Sequence, residues 1–388
     1  MDERSLIFPA AEFQARVTRL QHEMAQSGLD LILLTSPADI FYISGFLTRF
    51  WESPARPWFV LVPATGAPVA VIPTIGVPLM AQSWLPEIHA WDAPDPRDDG
   101  VSLLTDTLAS LVPDTGQIGL PMGPETSLRM PLADYTRLAA ALAPRRLVDA
   151  THAIQRTREI KSPAEIEKLR RVCAIAGASF AALEEIVAVG RPLASVFRDF
   201  QKLLLQNGAD WVSYLAGAAG RDGYLDVIAP ASEVPLAAGD VMMLDTGAVK
   251  DGYFCDFDRN VFIGAPSDAA RRVDAALWDA TEDALAQLRP GMLACDAHRI
   301  LFDGLLARGV QPCGGRLGHG LGLTLTEWPS FTALDQTELR AGMALTLEPS
   351  AFIAGERFLV HEENIVLRAD GPELLAPRAP RGPREIAI

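Results

Sequence analysis

VMMLDTGAVKDGYFCDFDRNVFIG, residues 241–264, places two acids, Asp245 and Asp256, on short apolar runs that read as strands. Three further runs of the same kind follow: LGHGLGL (317–323) with His319, MALTLEPS (343–350) with Glu348, and FLVHEENIVL (358–367) with Glu362. Alternate residues of a strand share a face. Asp245 therefore faces with Val241 and Met243, Glu348 with Ala344 and Thr346, and Glu362 with Val360 and Asn364. His361 points the other way. An unpaired carboxylate among apolar neighbours is costly to bury. Several on consecutive apolar strands imply one shared counter-charge, and a metal supplies it with the fewest groups. Four carboxylates and one imidazole suit hard or borderline divalent ions: Mn, Fe, Co or Zn. Carboxylates that bridge two ions are the usual construction of a binuclear hydrolytic centre.

The order Asp, Asp, His, Glu, Glu resembles the pita-bread metallopeptidase family, which holds methionine aminopeptidase, aminopeptidase P, prolidase and the non-peptidase creatinase. The matching residues are Asp245-Thr-Gly, Gly-Tyr253-Phe-Cys-Asp256-Phe-Asp-Arg259, Gly318-His319-Gly-Leu-Gly322, Leu347-Glu348-Pro349 and Glu362-Glu363-Asn364. The likeness covers roughly 155–370, and more loosely the amino-terminal part. It implies an α/β amino-terminal domain of the creatinase/prolidase type (1–153) and an α+β pita-bread catalytic domain (154–388). It further implies two divalent metal ions. Asp245, Asp256 and Glu362 would hold one, and Asp256, His319, Glu348 and Glu362 the other. Glu348 and His319 are the expected catalytic groups, with Glu348 shuttling a proton as a metal-bound hydroxide attacks a small C–N bonded substrate. A homodimer is implied as well.

Two departures bear on the substrate. The family's peptidases carry a His just before the Glu-x-Pro that follows Gly-His-Gly; here that position is Thr326. They carry another upstream of the first metal Asp, and Gly220 to Gly239 holds no histidine. The alternative is thus a non-peptidase: a lyase of the dimethylsulfoniopropionate type or a creatinase-like amidinohydrolase. The run GFLTRFWESPARPWF (45–59) places Arg49, Trp51 and Arg56 in a loop-like stretch after a strand. Arg and Trp are frequent anchors of recognition, and the resemblance makes these residues substrate-binding candidates that reach a neighbouring subunit's site. Tyr224 and Trp328 are further substrate-binding candidates, with Tyr214 and Arg221 beside them. Asp258 stands where the family has Thr or Ser. It is either an acceptor behind the ligands or a surface partner of Arg259.

A chain of 388 residues, nearly half hydrophobic, is long enough for two domains. A net charge of −15 argues against nucleic acid and anionic membrane as partners and leaves a small molecule or dipeptide as the ligand. The four cysteines show no metal or CxxC spacing, which suits reduced thiols in a cytoplasmic protein. MDERSLIFPAAEF has no leader-like core, and no apolar run is long enough to cross a membrane. Apolar spacing predicts helices over 11–28, 102–112, 127–144, 163–189, 193–207, 267–288 and 294–308. Strands are expected over 29–36, 57–74 (two, around an Ala-Thr-Gly turn), 116–122, 147–151 and most of 212–263, with a loop near 229–239. The Pro- and Arg-rich tail reads as an extended strap or frayed end.

Overall fold

A computed structural model of the chain describes residues 7–53 and 56–387. The MDERSL stretch, part of the leader reading, lies outside them. The chain divides into two compact units, Met1–Arg158 and Glu159–Ile388.

In the first unit, helix α1 (Ala10–Ser27) buries Phe13, Val17, Leu20 and Met24 at helical spacing. It ends where Gly28 adopts the left-handed conformation at φ 65°. Ser36 caps α2 (Pro37–Ser44) through the Asp39 amide. The run holding Arg49, Trp51 and Arg56 thus follows a helix rather than the expected strand. The other helices are α3 (Val77–Met80), α4 (Val101–Leu111), α5 (Leu132–Leu142) and α6 (Thr151–Glu159). Helix α5 starts five residues later than periodicity alone suggests, because Pro131 fixes its own φ and disfavours helix in the residue before it. Six strands, β1 (Leu31–Leu34), β2 (Phe59–Pro63), β3 (Val69–Pro73), β4 (Glu87–Trp91), β5 (Gln117–Leu120) and β6 (Arg146–Asp149), form one mixed sheet ordered β4-β3-β2-β1-β5-β6. Strand β4 lies at the edge, is half exposed and lacks a clear alternation, so the sequence hides it.

The second unit opens with α7 (Pro163–Ala181), held by a reciprocal cap between Ser162 and Glu165. The helix stops near 181 rather than 189, with a tight turn over Ala182–Glu185. Helices α8 (Leu193–Gln206), α9 (Asp268–Gln287) and α10 (Ala294–Ala307) complete the helical layer. Strands β7 (Trp211–Arg221), β8 (Asp240–Lys250), β9 (Tyr253–Phe254) and β10 (Phe257–Ile263) form the first sheet. The second contains β11 (His319–Gly320), β12 (Glu327–Ser330), β13 (Ala344–Leu347), β16 (Glu363–Arg368) and β17 (Gly371–Leu374). Strands β14 (Ser350–Ala354) and β15 (Arg357–Val360) make a separate hairpin. The tail is a strap, not a frayed end: β18 (Glu385–Ile386) pairs in parallel with β10. Arg378 and Arg381 tie it to Glu363 and Asp279.

Candidate metal centre

The two sheets of the second unit bring the acids together, Asp245 from the middle of β8 and the others from strand ends. Strands β8 and β10 run antiparallel with Asp245 opposite Asp258, and Asp256 immediately precedes β10. In the other sheet β13 and β16 are antiparallel, with Leu347 opposite Glu363. Glu348 leaves β13 and Glu362 enters β16 at that same end. Gly318 and Gly320 explain the flanks of His319. Gly318 has φ 149°, and a Cβ there would sit 2.3 Å from the Thr346 carbonyl oxygen. A Cβ on Gly320 would sit 2.2 Å from the Trp328 carbonyl oxygen. Only glycine permits so close an approach.

Residues that share a face with the acids hold the site's backbone. The His319 amide donates to Thr346 Oγ1 at 3.1 Å. The Asp256 amide donates to Asn364 Oδ1 at 3.0 Å, and Asn364 Nδ2 donates back to the Asp256 carbonyl. One buried amide side chain therefore joins the two sheets beside Asp256 and Glu362.

Asp256, His319 and Glu362 each present a ligand atom within 4.8 Å of the others, and all three are buried. His319 Nδ1 lies 2.8 Å from the Gly320 carbonyl, which can only accept. The proton therefore sits on Nδ1, and the Nε2 lone pair faces inward. Nε2 is 3.4 Å from Asp256 Oδ2 and 3.8 Å from Glu348 Oε2. One oxygen each of Asp245 (Oδ1), Asp258 (Oδ1), Glu348 (Oε2) and Glu362 (Oε1) is buried and makes no hydrogen bond among the described residues. Burial, reinforced by mutual repulsion, pushes the carboxyl pKa values of Asp245, Asp256, Asp258 and Glu362 far above their usual range. Glu348 is also raised by burial, against the opposing pull of His319 and Arg316. Such orphaned carboxylates around one available imidazole lone pair fit divalent metal, which reverses each of these penalties.

A cavity of about 270 Å³ opens onto the acids. Asp245, Asp256, His319 and Glu348 line it, while Glu362 lies behind them. Two substrate-binding expectations, Tyr224 and Trp328, need correction within this unit. Tyr224 does not line the cavity; its hydroxyl is buried between Asn260 Oδ1 at 3.0 Å and the Val360 amide at 2.7 Å. Tyr214 lines it instead, its hydroxyl donating to the Val227 carbonyl at 3.4 Å, and burial and the Asp245 charge push its pKa up. Trp328 sits in β12 outside the lining, whereas Thr326 and Arg316 are part of it, with Arg316 donating to Thr326 Oγ1 at 3.1 Å. The sequence reading missed Arg316; its only signal was a cation three residues before His319. Asp258 is no surface partner of Arg259, since its side chain is buried and lines the cavity. In the first unit, Trp51 packs edge-on against Trp58 and Phe46 with Arg129 over its ring, Arg56 lies over Phe50, and Arg49 pairs with exposed Glu52.

The model of metallopeptidase family M24 matches residues 167–369, more than half of the chain. The chain belongs to metallopeptidase family M24. The creatinase/prolidase N-terminal domain matches residues 16–160 of this M24 protein. It is 27% identical to the "Probable dipeptidase PepE" of Mycobacterium tuberculosis over 94% of both chains. It is 25% identical to the "Xaa-Pro dipeptidase" of Pyrococcus horikoshii, covering 93% of this chain and 96% of that one. The crystal structure of dipeptidase PepE from Mycobacterium ulcerans superimposes with a TM-score of 0.85 at 25% identity, over 98% of this chain and all of that one. The fold is accordingly a creatinase-type α/β domain followed by an α+β pita-bread domain, and the chain is a metal-dependent hydrolase. No described helix is long and apolar enough to cross a membrane.

Proposed function

We propose that this M24 hydrolase holds two divalent ions and cleaves a C–N bond in a small dipeptide or dipeptide-like molecule. The observation that carries the reading is the convergence of Asp256, His319 and Glu362 beside buried carboxylate oxygens that have no other partner. Asp245, Asp256 and Glu362 would hold one ion, and Asp256, His319, Glu348 and Glu362 the other. The donor set suits Mn, Fe, Co or Zn. Bound, such ions polarise a carbonyl and lower the pKa of water.

The chain's own groups do the rest. Glu348 keeps 28% of its side-chain surface exposed, against 2% for His319 and 6% for Asp256. It can therefore exchange protons with solvent, taking one from water and passing it to the leaving nitrogen. His319, fixed as the Nδ1–H tautomer, contributes a lone pair and no proton. The neutral Tyr214 hydroxyl can turn from its long 3.4 Å bond to the Val227 carbonyl and donate to a developing oxyanion. Arg316, held by Thr326, can face a substrate carboxylate. The dipeptidase names of the relatives favour a dipeptide. A second reading, a lyase or creatinase-like amidinohydrolase, draws on Thr326 lining the cavity and on the lack of any histidine from Gly220 to Gly239.

The same proposal includes a homodimer and a cytoplasmic setting, the latter supported by four cysteines that are all free. Metal-loaded protein should hydrolyse at least one member of a panel of dipeptides and N-acyl amino acids. Turnover confined to betaines or guanidino compounds would move the assignment to the second reading. No turnover of any of these by fully metallated protein would overturn both.

A further inference from the structure

Asp258 is the one acidic group of the centre for which the metal reading has no use. It follows Asp256 by two positions, shares its face, and lies opposite Asp245 in the β8–β10 register. Its side chain is 2% exposed and lines the cavity, and its Oδ1 has no hydrogen-bond partner among the described residues. The adjacent cation acts on it only at a distance and makes no hydrogen bond to its carboxylate. Arg259 alternates to the other side of the strand and donates to the Glu362 and Pro377 carbonyls, to the Glu363 carboxylate, and to Asp258's own backbone carbonyl. Two divalent ions balance the charges of Asp245, Asp256, Glu348 and Glu362, which leaves Asp258 unmatched. Met243, Val227, Ile228 and Val360 supply apolar lining to the same cavity. A buried carboxylate in a pocket with apolar lining matches a cationic nitrogen attached to an apolar body.

We propose that Asp258 is a specificity-determining residue that anchors a protonated or quaternary nitrogen of the substrate. The substrate class is then a small C–N bonded molecule carrying an organic cation. This rests on the metal-dependent hydrolase reading, because the ions are what set the other four carboxylates aside.

The test compares the wild type, Asp258→Asn and Asp258→Thr, each loaded with Mn²⁺ and checked for metal content and thermal unfolding. Calorimetry then measures binding of choline and of its neutral isostere 3,3-dimethylbutan-1-ol. The expected result is equal metal content in all three proteins. Choline should bind about 10- to 100-fold more weakly to both variants, the loss that follows when one charge-assisted contact is removed. The neutral alcohol should bind all three alike. Equal choline affinity in wild type and variants overturns the proposal, as does any preference of the wild type for the alcohol. Loss of metal from the two variants alone also overturns it, by making Asp258 a ligand. A wild type that takes up no metal refutes the hydrolase centre instead, and is recognised before any choline is added. If Asp258→Asn fails to fold, Asp258→Thr, with the smaller side chain, decides the question.

Discussion

Glu362→Gln separates a metal centre from a merely acidic pocket, because its effect should change sign with metal. In metal-free protein the buried carboxyls have folded-state pKa values raised above their unfolded values. Their contribution to stability is present below the ordinary carboxylate pKa and is lost as pH rises through the raised folded value. Metal-free wild type should therefore be less stable at neutral pH than in mild acid. Replacing Glu362 by the neutral amide removes one repelling charge, so the metal-free variant should melt above metal-free wild type at neutral pH. Metal reverses the order. At about a thousandfold excess over Kd, one ion stabilises by roughly 4 kcal/mol. The unit Glu159–Ile388 has roughly 230 residues, and at about 2.1 cal/mol/K per residue its unfolding entropy near Tm is about 0.5 kcal/mol/K. The wild-type Tm should thus rise by about 8 °C for each ion bound, and the rise should shrink in mild acid, where metal competes with protons. The variant should show little of this rise. Differential scanning fluorimetry on chelator-treated protein reads all four combinations. A metal-induced shift of full size in Glu362→Gln would refute the reasoning. So would a metal-free variant that melts below metal-free wild type.

Xaa-Pro dipeptides should be poor substrates, because Thr326 carries no imidazole and Gly220 to Gly239 holds no histidine to supply the second donor; losing two positioned donors costs on the order of 10⁴ in rate. A kcat/KM of about 10⁴ M⁻¹s⁻¹ or more on a Xaa-Pro dipeptide would show otherwise, and Thr326→His alone should not create that activity. The protein should sediment as a homodimer, and Arg49→Ala or Arg56→Ala should raise KM while leaving metal content unchanged. A monomer at assay concentration, or an unchanged KM in both variants, would remove these residues from the site.

The positions of Asp245, Asp256, His319, Glu348 and Glu362 could be read from the chain because each stands within or beside an apolar run, Asp245 in the middle of β8 and the others at strand ends. Period-two alternation placed Thr346 and Asn364 on the face where they now hold the backbone of His319 and Asp256. Asp258 and Arg259 look like a surface pair as neighbours in sequence, yet alternation sends them to opposite sides of one strand. Tyr224 was misread because its partners, Asn260 and Val360, meet it only through tertiary packing. Arg316 lies on an irregular stretch between elements, and no periodicity marks a cation there as facing a cavity. The strap at the carboxyl end owes its order to ion pairs with α9 and β16, contacts that span long distances in sequence.

Metal stoichiometry tests the central claim most directly. Elemental analysis of dialysed protein, reconstituted with Mn²⁺, should find up to two ions per wild-type chain and essentially none in Asp256→Ala or Glu362→Ala. Wild type that retains no ion, or either variant with its full complement, would contradict the account.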